Sequence, residues 1–376
     1  MAQEIMLVVG EASGDVHGAH LVAALQRKNP RLRFYGVAGE QLRRIAFEPL
    51  FGVAQLTGMG LVELAGNLKN LWSAYRLLSH ALRARRPSLL ILIDFPEFNL
   101  RLARLAKSLG VPVLYYISPQ IWAWRRGRVK QIARWVDHMA VVFPFEEEFY
   151  ARHGVKVTFV GHPLLETVNA KARRDVVLAN LGLDPALPSI ALLPGSRRGE
   201  IEQHVPVMRQ AALQLRAQRK LQFFCVQAST IERSQLAAGL NHPDLHIPIV
   251  DTDRYDAINA ADLVWAASGT ATLETALLGK PMIVIYRLSW PTYCLARLLV
   301  RVQHIGMVNL VAGERVVPEL VQSEVNPARL AAESKVLLDD PELRRATARK
   351  LAKLRARLGA PGAAERVADI ALQMLA

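Results

Sequence analysis

Asp94 ends the apolar run Leu89-Leu90-Ile91-Leu92-Ile93. An acid at the end of a buried strand is partly desolvated, holds its proton more tightly, and becomes a candidate general base. Glu97 follows Pro96 where the next helix should begin, and helix capping is the better reading for it. A second acidic turn, Gly10-Glu11-Ala12-Ser13-Gly14-Asp15, follows the first apolar run of the chain. Its glycines let the backbone approach a ligand. The Gly-x-x-x-Gly spacing is not the dinucleotide fingerprint, however, and two carboxylates repel a diphosphate. Glu11, Ser13 and Asp15 suit the hydroxyls of a sugar acceptor or the support of a catalytic group. The competing reading is that Ser13 or Asp15 caps a helix.

Ser118-Pro119-Gln120-Ile121-Trp122-Ala123-Trp124-Arg125-Arg126 puts two indoles and two guanidiniums in one loop. Trp122 and Trp124 beside the arginines suit a sugar ring next to a phosphate. Nucleic-acid stacking is the rival use, but no RNP, helix-turn-helix or zinc-finger pattern accompanies the loop, and nucleic acid is not an expected partner. Two phosphate-type turns lie further along. In Leu192-Leu193-Pro194-Gly195-Ser196-Arg197, Gly195 permits close approach, Ser196 can bond a phosphate, and Arg197 supplies a fork-shaped cation. In Ala267-Ser268-Gly269-Thr270-Ala271-Thr272-Leu273-Glu274, the amides of Ser268, Gly269 and Thr270 can hold phosphate while Glu274 takes both ribose hydroxyls. Neither turn is a Walker loop. Two such turns in one region point to a nucleotide diphosphate.

Other patterns carry less. Asp251-Thr252-Asp253 has an Asp-x-Asp metal spacing, but it sits before a helix, where capping is the expected job. The histidines, His17, His20, His162, His204 and His304 among them, show no metal-ligand spacing, and no metal or other cofactor is expected. His17 and His162 could line a cleft and stay unassigned. No Gly-x-Ser-x-Gly elbow suggests a hydrolase.

These residues need a scaffold. The chain has 376 residues, more than one core usually supports, so two domains are expected. Strand-like runs alternate with helical ones: Ile5–Val9, Gly18–Lys28, Arg33–Val37, Leu68–Arg85, Ser88–Ile93, Asn99–Leu109 and Val113–Ile117. This alternation implies a mostly parallel, doubly wound α/β sheet. The rhythm breaks at Gly161–Pro185 and resumes from Ser189, and Pro327–Ala376 is helical throughout. The expected organisation is an acceptor-binding Rossmann-like domain over 1–165, a linker over 166–185, a nucleotide-binding Rossmann-like domain over 186–345, and C-terminal helices over 346–376 that cross back to the first domain or exchange in a dimer. Ligands of such sheets gather at the carboxyl ends of the strands.

Lys plus Arg exceeds Asp plus Glu by 14, which favours anionic partners such as phosphorylated substrates or an acidic membrane face. Leu56–Leu64 with Leu71 and Trp72 is an apolar stretch near Lys69, Arg76 and Arg83–Arg86. It suits interfacial docking or an acyl-chain pocket, with Met59 and Val62 inside it; an ordinary core helix is the competing reading. Two cysteines are too few for a disulfide framework and fit a reducing cytoplasm. The start of the chain reads as a strand and not as a signal peptide, and no apolar run approaches the ~18–20 residues of a membrane span.

In order, Gly-Glu-Ala-Ser-Gly-Asp, Ile-Asp-Phe-Pro-Glu-Phe-Asn, Ser-Pro-Gln-Ile-Trp-Ala-Trp, Phe-Pro-Phe-Glu, Gly-His-Pro, Leu-Pro-Gly-Ser-Arg and Ser-Gly-Thr-Ala-Thr-Leu-Glu resemble the bacterial lipid-A-disaccharide synthases from about Ile5 to about Leu320. The resemblance implies a GT-B fold, two Rossmann-like domains facing a cleft. It also implies an inverting transfer from UDP-2,3-diacylglucosamine to 2,3-diacylglucosamine 1-phosphate (lipid X). With Arg197 and the Gly195 and Gly269 turn amides to neutralise the departing diphosphate, the transfer is expected to be metal-independent. The products are a β-1,6-linked disaccharide 1-phosphate and UDP. The family's essential aspartate falls on Asp94, its first-loop glutamate on Glu11, and its UDP-site residues on Arg197, Glu274 and Asn309. Many members have a second Asp where this chain has Glu97, which is therefore auxiliary at most. The resemblance implies peripheral association with the cytoplasmic face of the inner membrane. Some members dimerise by exchanging C-terminal segments, so a homodimer is among the expected partners.

Overall fold

The computed structural model describes residues 3–56, 64–119, 121, 126–288, 290, 293 and 304–376. The chain divides into two compact units, Met1–Pro163 with Leu358–Ala376 and Leu164–Arg357.

Unit 1 runs β1 (Glu4–Val9), α1 (Ala12–Lys28), β2 (Arg33–Ala38), β3 (Glu48–Gly52), α2 (Leu64–Arg85), β4 (Leu89–Ile93), α3 (Pro96–Ser108), β5 (Val113–Tyr116), α4 (Val129–Trp135), β6 (His138–Val141), α5 (Pro144–Ala151) and β7 (Val157–Phe159). The strands form one parallel sheet in the order β3-β2-β1-β4-β5-β6-β7. Ile5–Val9 and Leu89–Ile93 are wholly buried, as continuous apolar runs must be when helices cover both faces of a parallel sheet. The order reverses between β1 and β4, where Val9 lies opposite Ile93. β3 was not visible as a strand in the sequence. Glu-Pro-Leu-Phe-Gly is a partly exposed edge strand with a proline, so it lacks the apolar run that marks the central ones.

Unit 2 runs α6 (Arg174–Asn180), β8 (Ser189–Leu193), α7 (Arg198–Gln218), β9 (Gln222–Val226), α8 (Arg233–Leu240), β10 (Ile249–Val250), α9 (Arg254–Ala260), β11 (Leu263–Ala267), α10 (Thr270–Leu277), β12 (Met282–Tyr286), α11 (Met307–Ala312), β13 (Glu319–Val321), α12 (Pro327–Asp339) and α13 (Pro341–Arg357). Its parallel sheet has the order β10-β9-β8-β11-β12-β13 and reverses between β8 and β11, where Leu193 lies opposite Ala266. Trp265 of β11 fills the core, and its indole N–H donates to Ser334 Oγ at 2.8 Å, so its one polar atom is satisfied.

The segment expected as a linker, 166–185, belongs to unit 2 and holds α6. Arg174 ties it down by donating to the carbonyls of Ala260 and Leu187 and to Asp262. The C-terminal helices, expected from 346 with a crossing back to the first domain or an exchange in a dimer as the two options, divide between the units. Arg357 at the end of α13 donates to the Val311 carbonyl of unit 2. The last helix, α14 (Ala363–Leu375), packs along α1 in unit 1, with Lys28 Nζ 2.6 Å from Asp369 Oδ1.

Candidate active site

The switch point of unit 1 is acidic. Backbone geometry is unusual where β4 ends: Asp94 and Phe95 both have φ of +49°. Two consecutive side-chain-bearing residues in the left-handed region are rare and cost ~1–3 kcal/mol each unless the surroundings hold them. Here the Asp94 carbonyl accepts the Tyr115 hydroxyl at 2.5 Å and Asn99 Nδ2 at 2.7 Å. Its amide donates to the Tyr116 carbonyl at 3.2 Å. On the neighbouring strand end, a Cβ on Gly10 would meet the Phe95 side chain at 2.1 Å, so only glycine admits the Phe95 ring there.

This turn aims a carboxylate at the carboxyl edge of the sheet. Burial, then the charge of Glu11, pushes the Asp94 carboxyl up to about 6, while the Phe95 amide pulls the other way. Glu11 is exposed at the N-cap of α1 and makes no side-chain capping bond. Glu11 therefore stands close enough to Asp94 for its charge to raise the proton affinity of the Asp94 carboxyl.

Other sequence candidates in unit 1 have different employment. Asp15 is buried, and its carboxylate accepts the amides of Gly39, Gln41 and Leu42 at 2.7, 2.7 and 3.3 Å. It anchors the turn after β2 and so corrects the expectation that it meets acceptor hydroxyls. Its carboxylate takes the amides that open the short helix Glu40–Arg43, and not those of its own helix. Ser13 is exposed in the first turn of α1, beside Glu11. Glu97 forms a two-pronged ion pair with Arg128, at 2.6 and 2.7 Å. Met59, Val62, Trp122 and Trp124 lie outside the described residues. His17 is half-buried and His162 buried, near one another, and desolvation holds their imidazoles down to about 4 and about 3.

The switch point of unit 2 is built from glycine turns. Gly195 and Gly269, at φ of +129° and +145°, follow the adjacent strands β8 and β11, so the two turns stand side by side. Gly269 caps α10, and the space beside it is open. The amides that open a helix carry partial positive charge and lack intrahelical partners, the usual receptor for phosphate. The other turn differs from expectation. Glu200 Oε2 accepts the amides of Ser196 and Arg197 at 2.8 and 3.3 Å, so a carboxylate of the chain already lies on them. Arg197 is largely exposed, with Nη1 3.5 Å from Glu200.

Behind the turns lie residues that motif reading missed. His204 Nδ1 is 2.7 Å from the Pro194 carbonyl, and its Nε2 faces the Arg287 amide at 3.2 Å. A carbonyl only accepts and an amide only donates, so the ring is the neutral Nδ1–H tautomer bridging the ends of β8 and β12. Burial lowers its proton affinity, which keeps it neutral. Glu274 is buried, with Arg254 Nη2 2.5 Å and the Tyr255 hydroxyl 3.2 Å from its oxygens. Burial raises its pKa, and Arg254 and Tyr255 oppose the rise. Two contacts leave lone pairs of the carboxylate able to accept further hydroxyl donors. Ser268 Oγ donates to the Ile305 carbonyl. Thr270 is exposed at the start of α10. Asn309 is buried with its amide fully used: Nδ2 donates to the Val317 carbonyl and Glu319, and Oδ1 accepts the amides of Val316 and Val317. It braces the loop through these four bonds. Asp251 pairs with Arg233, and Asp253 stands at the N-cap of α9 without a capping bond.

Comparison with known proteins agrees with this architecture. The chain resembles solved structures of the same two-sheet GT-B fold. An S. aureus MnaA–UDP co-structure covers 97% of this chain and 94% of its own at TM-score 0.67 and 13% identity. The glycotransferase of kitacinnamycin covers all of both chains at 0.66 and 15%. At such identities only the fold is shared. Sequence relatives reach further. The lipid-A-disaccharide synthase of Syntrophus aciditrophicus is 46% identical over 99% of this chain and 97% of its own. That of Geobacter sulfurreducens is also 46% identical, over 100% and 98%. The family model described as lipid-A-disaccharide synthetase matches residues 5–373, which takes in both switch points and all but the last two residues of α14. With both units covered at this similarity, the chain belongs to the lipid-A-disaccharide synthetase family.

Proposed function

We propose that Asp94 is the general base of the sugar transfer and that unit 2 holds UDP. The reaction condenses UDP-2,3-diacylglucosamine with 2,3-diacylglucosamine 1-phosphate. Asp94 takes the proton of the acceptor 6-hydroxyl as that oxygen attacks the anomeric carbon of the donor. The bond from that carbon to the UDP oxygen breaks as the new one forms, so one displacement inverts the centre and releases UDP. The observation that carries this reading is the Asp94 carboxyl, raised to about 6 at the end of β4. A base with that proton affinity is mostly ionised at neutral pH yet basic enough to help a hydroxyl attack.

In unit 2, the open Gly269 turn receives the diphosphate, Arg197 adds a mobile cation, and Glu274 takes the ribose. Glu200 must give up the Ser196 and Arg197 amides if phosphate is to reach them too. Fixed amides and a guanidinium stabilise the departing diphosphate, so activity is expected to survive chelation. Loss on chelation with recovery on adding Mg²⁺ contradicts that part.

The acylated substrates fit a peripheral place on the cytoplasmic face of the inner membrane. No described helix is long and apolar enough to cross a membrane. α2 presents Trp72 and Leu77, 60% and 42% exposed, among the exposed cations Lys69, Arg76 and Arg83. Arg76 sits 4.7 Å over the Trp72 ring. Indole, leucine and basic side chains on one helix are the makings of an interfacial anchor for anionic lipid.

The test is to incubate the protein with UDP-2,3-diacylglucosamine, with and without the acceptor, and to identify products by mass spectrometry. Disaccharide 1-phosphate formed only with both substrates is expected. An altered UDP-sugar from the donor alone favours an epimerase and overturns the reading.

A further inference from the structure

We infer that Tyr115 and Asn99 are positioning residues for the reaction, holding the backbone of Asp94 in the conformation that aims its carboxylate. This rests on the reading of Asp94 as the base. Asp94 and Phe95 leave β4 with φ of +49° at both residues. Phe95 also precedes Pro96, and a residue before proline normally prefers an extended backbone. The chain therefore needs an outside reason to keep this turn.

Three elements supply one. From β5, the Tyr115 hydroxyl donates to the Asp94 carbonyl at 2.5 Å. From α3, Asn99 Nδ2 donates to the same carbonyl at 2.7 Å and to the Ile93 carbonyl at 3.2 Å. From the end of β1, Gly10 leaves room for the Phe95 ring, which also packs on Phe98 with centroids 5.6 Å apart. Tyr115 and Asn99 are wholly buried. A buried hydroxyl and amide converging on one carbonyl fix the peptide plane just after the Asp94 side chain. Neither side chain is asked to touch a substrate. Their effect reaches the reaction through the direction of the Asp94 carboxylate, because a base works only within hydrogen-bond reach of the proton it takes.

A merely structural role would use the same bonds to stabilise the fold and nothing more. Tyr115→Phe separates the two, since it keeps the ring in the core and removes only the hydroxyl. Expected is a fall in kcat of about 10- to 100-fold, as for a small misplacement of a reacting group. KM for both substrates, UDP affinity by calorimetry and the melting temperature should stay close to wild type. Asn99→Ala should lower kcat further, and its rate is read per mole of folded protein from circular dichroism. The inference is overturned if Tyr115→Phe turns over at the wild-type rate, or if its loss of rate matches a loss of folded protein. Asp94→Asn, run alongside, separates the two failures. If it keeps wild-type turnover, the base has been misidentified and the inference falls with it. If it is inactive while Tyr115→Phe is fully active, only the positioning role is lost.

Discussion

The two switch points use one topological device for opposite chemistry. In unit 1 the order reverses between β1 and β4, in unit 2 between β8 and β11. Each puts two turns side by side at the carboxyl edge of a parallel sheet, where ligands of such folds collect. In unit 1 those turns carry Glu11 and Asp94, and the backbone enters the left-handed region on residues with full side chains. In unit 2 the left-handed positions are Gly195 and Gly269, and what the turns offer is backbone N–H. The lesson is that the strain falls where a side chain must be aimed, and glycine falls where the backbone itself is the receptor.

The largest effect should come from the acidic switch point. Asp94→Asn is expected to lower kcat by roughly 100- to 10,000-fold, the usual contribution of a general base, with UDP affinity unchanged. Initial rates and calorimetry on the same preparation check both halves. Less severe is Gly269→Ala. Space beside Gly269 is open, so the added methyl meets no wall and the cost is backbone strain alone. The substituted turn relaxes out of this conformation when empty and must return to it to bind, so a strain of ~1–3 kcal/mol weakens UDP binding by about 5- to 150-fold, while the pH dependence set by Asp94 should not move. Wild-type UDP affinity in Gly269→Ala would remove that turn from the nucleotide site.

A smaller effect appears in stability. The Asp94 carboxyl titrates at 3.8 as a free group and at about 6 in the fold. Between these values the native state binds more protons than the unfolded chain, so stability falls as pH rises through the window. Asp94→Asn removes that fall. Its melting temperature should exceed wild type above pH 6, and the difference should shrink as pH drops toward 3.8. Thermal melts across that range check the sign. A mutant less stable than wild type above pH 6 would mean that the carboxylate is stabilising.

Much of this was legible in the residues themselves. β1 and β4 announced themselves as apolar runs because helices bury both their faces. Asp94 stood out because so apolar a strand ends on an acid. Edge strands stayed hidden: Glu48–Gly52 and Glu319–Val321 are short and partly exposed, so neither shows a run or an alternation. Motif reading overreached on Asp15, which sits inside a recognisable motif but spends its carboxylate on backbone amides. It missed Tyr115, Arg254 and His204, whose partners are 20 to 83 residues distant or, for the Pro194 carbonyl, ten residues back and outside the helix. No local pattern encodes such pairings, which exist only once the sheet has brought the strand ends together.

The account turns on Asp94 being basic because of where it sits and because Glu11 stands beside it. The direct test is the pH dependence of kcat/KM for wild type and Glu11→Gln. The acceptor phosphate also titrates near pH ~6, so the position of the wild-type limb alone does not isolate the enzyme. The shift on removing the Glu11 charge does. A wild-type acid limb near pH 6 that moves to lower pH in Glu11→Gln is the predicted result. A limb that stays put in Glu11→Gln, or a profile flat through pH 6, would contradict it.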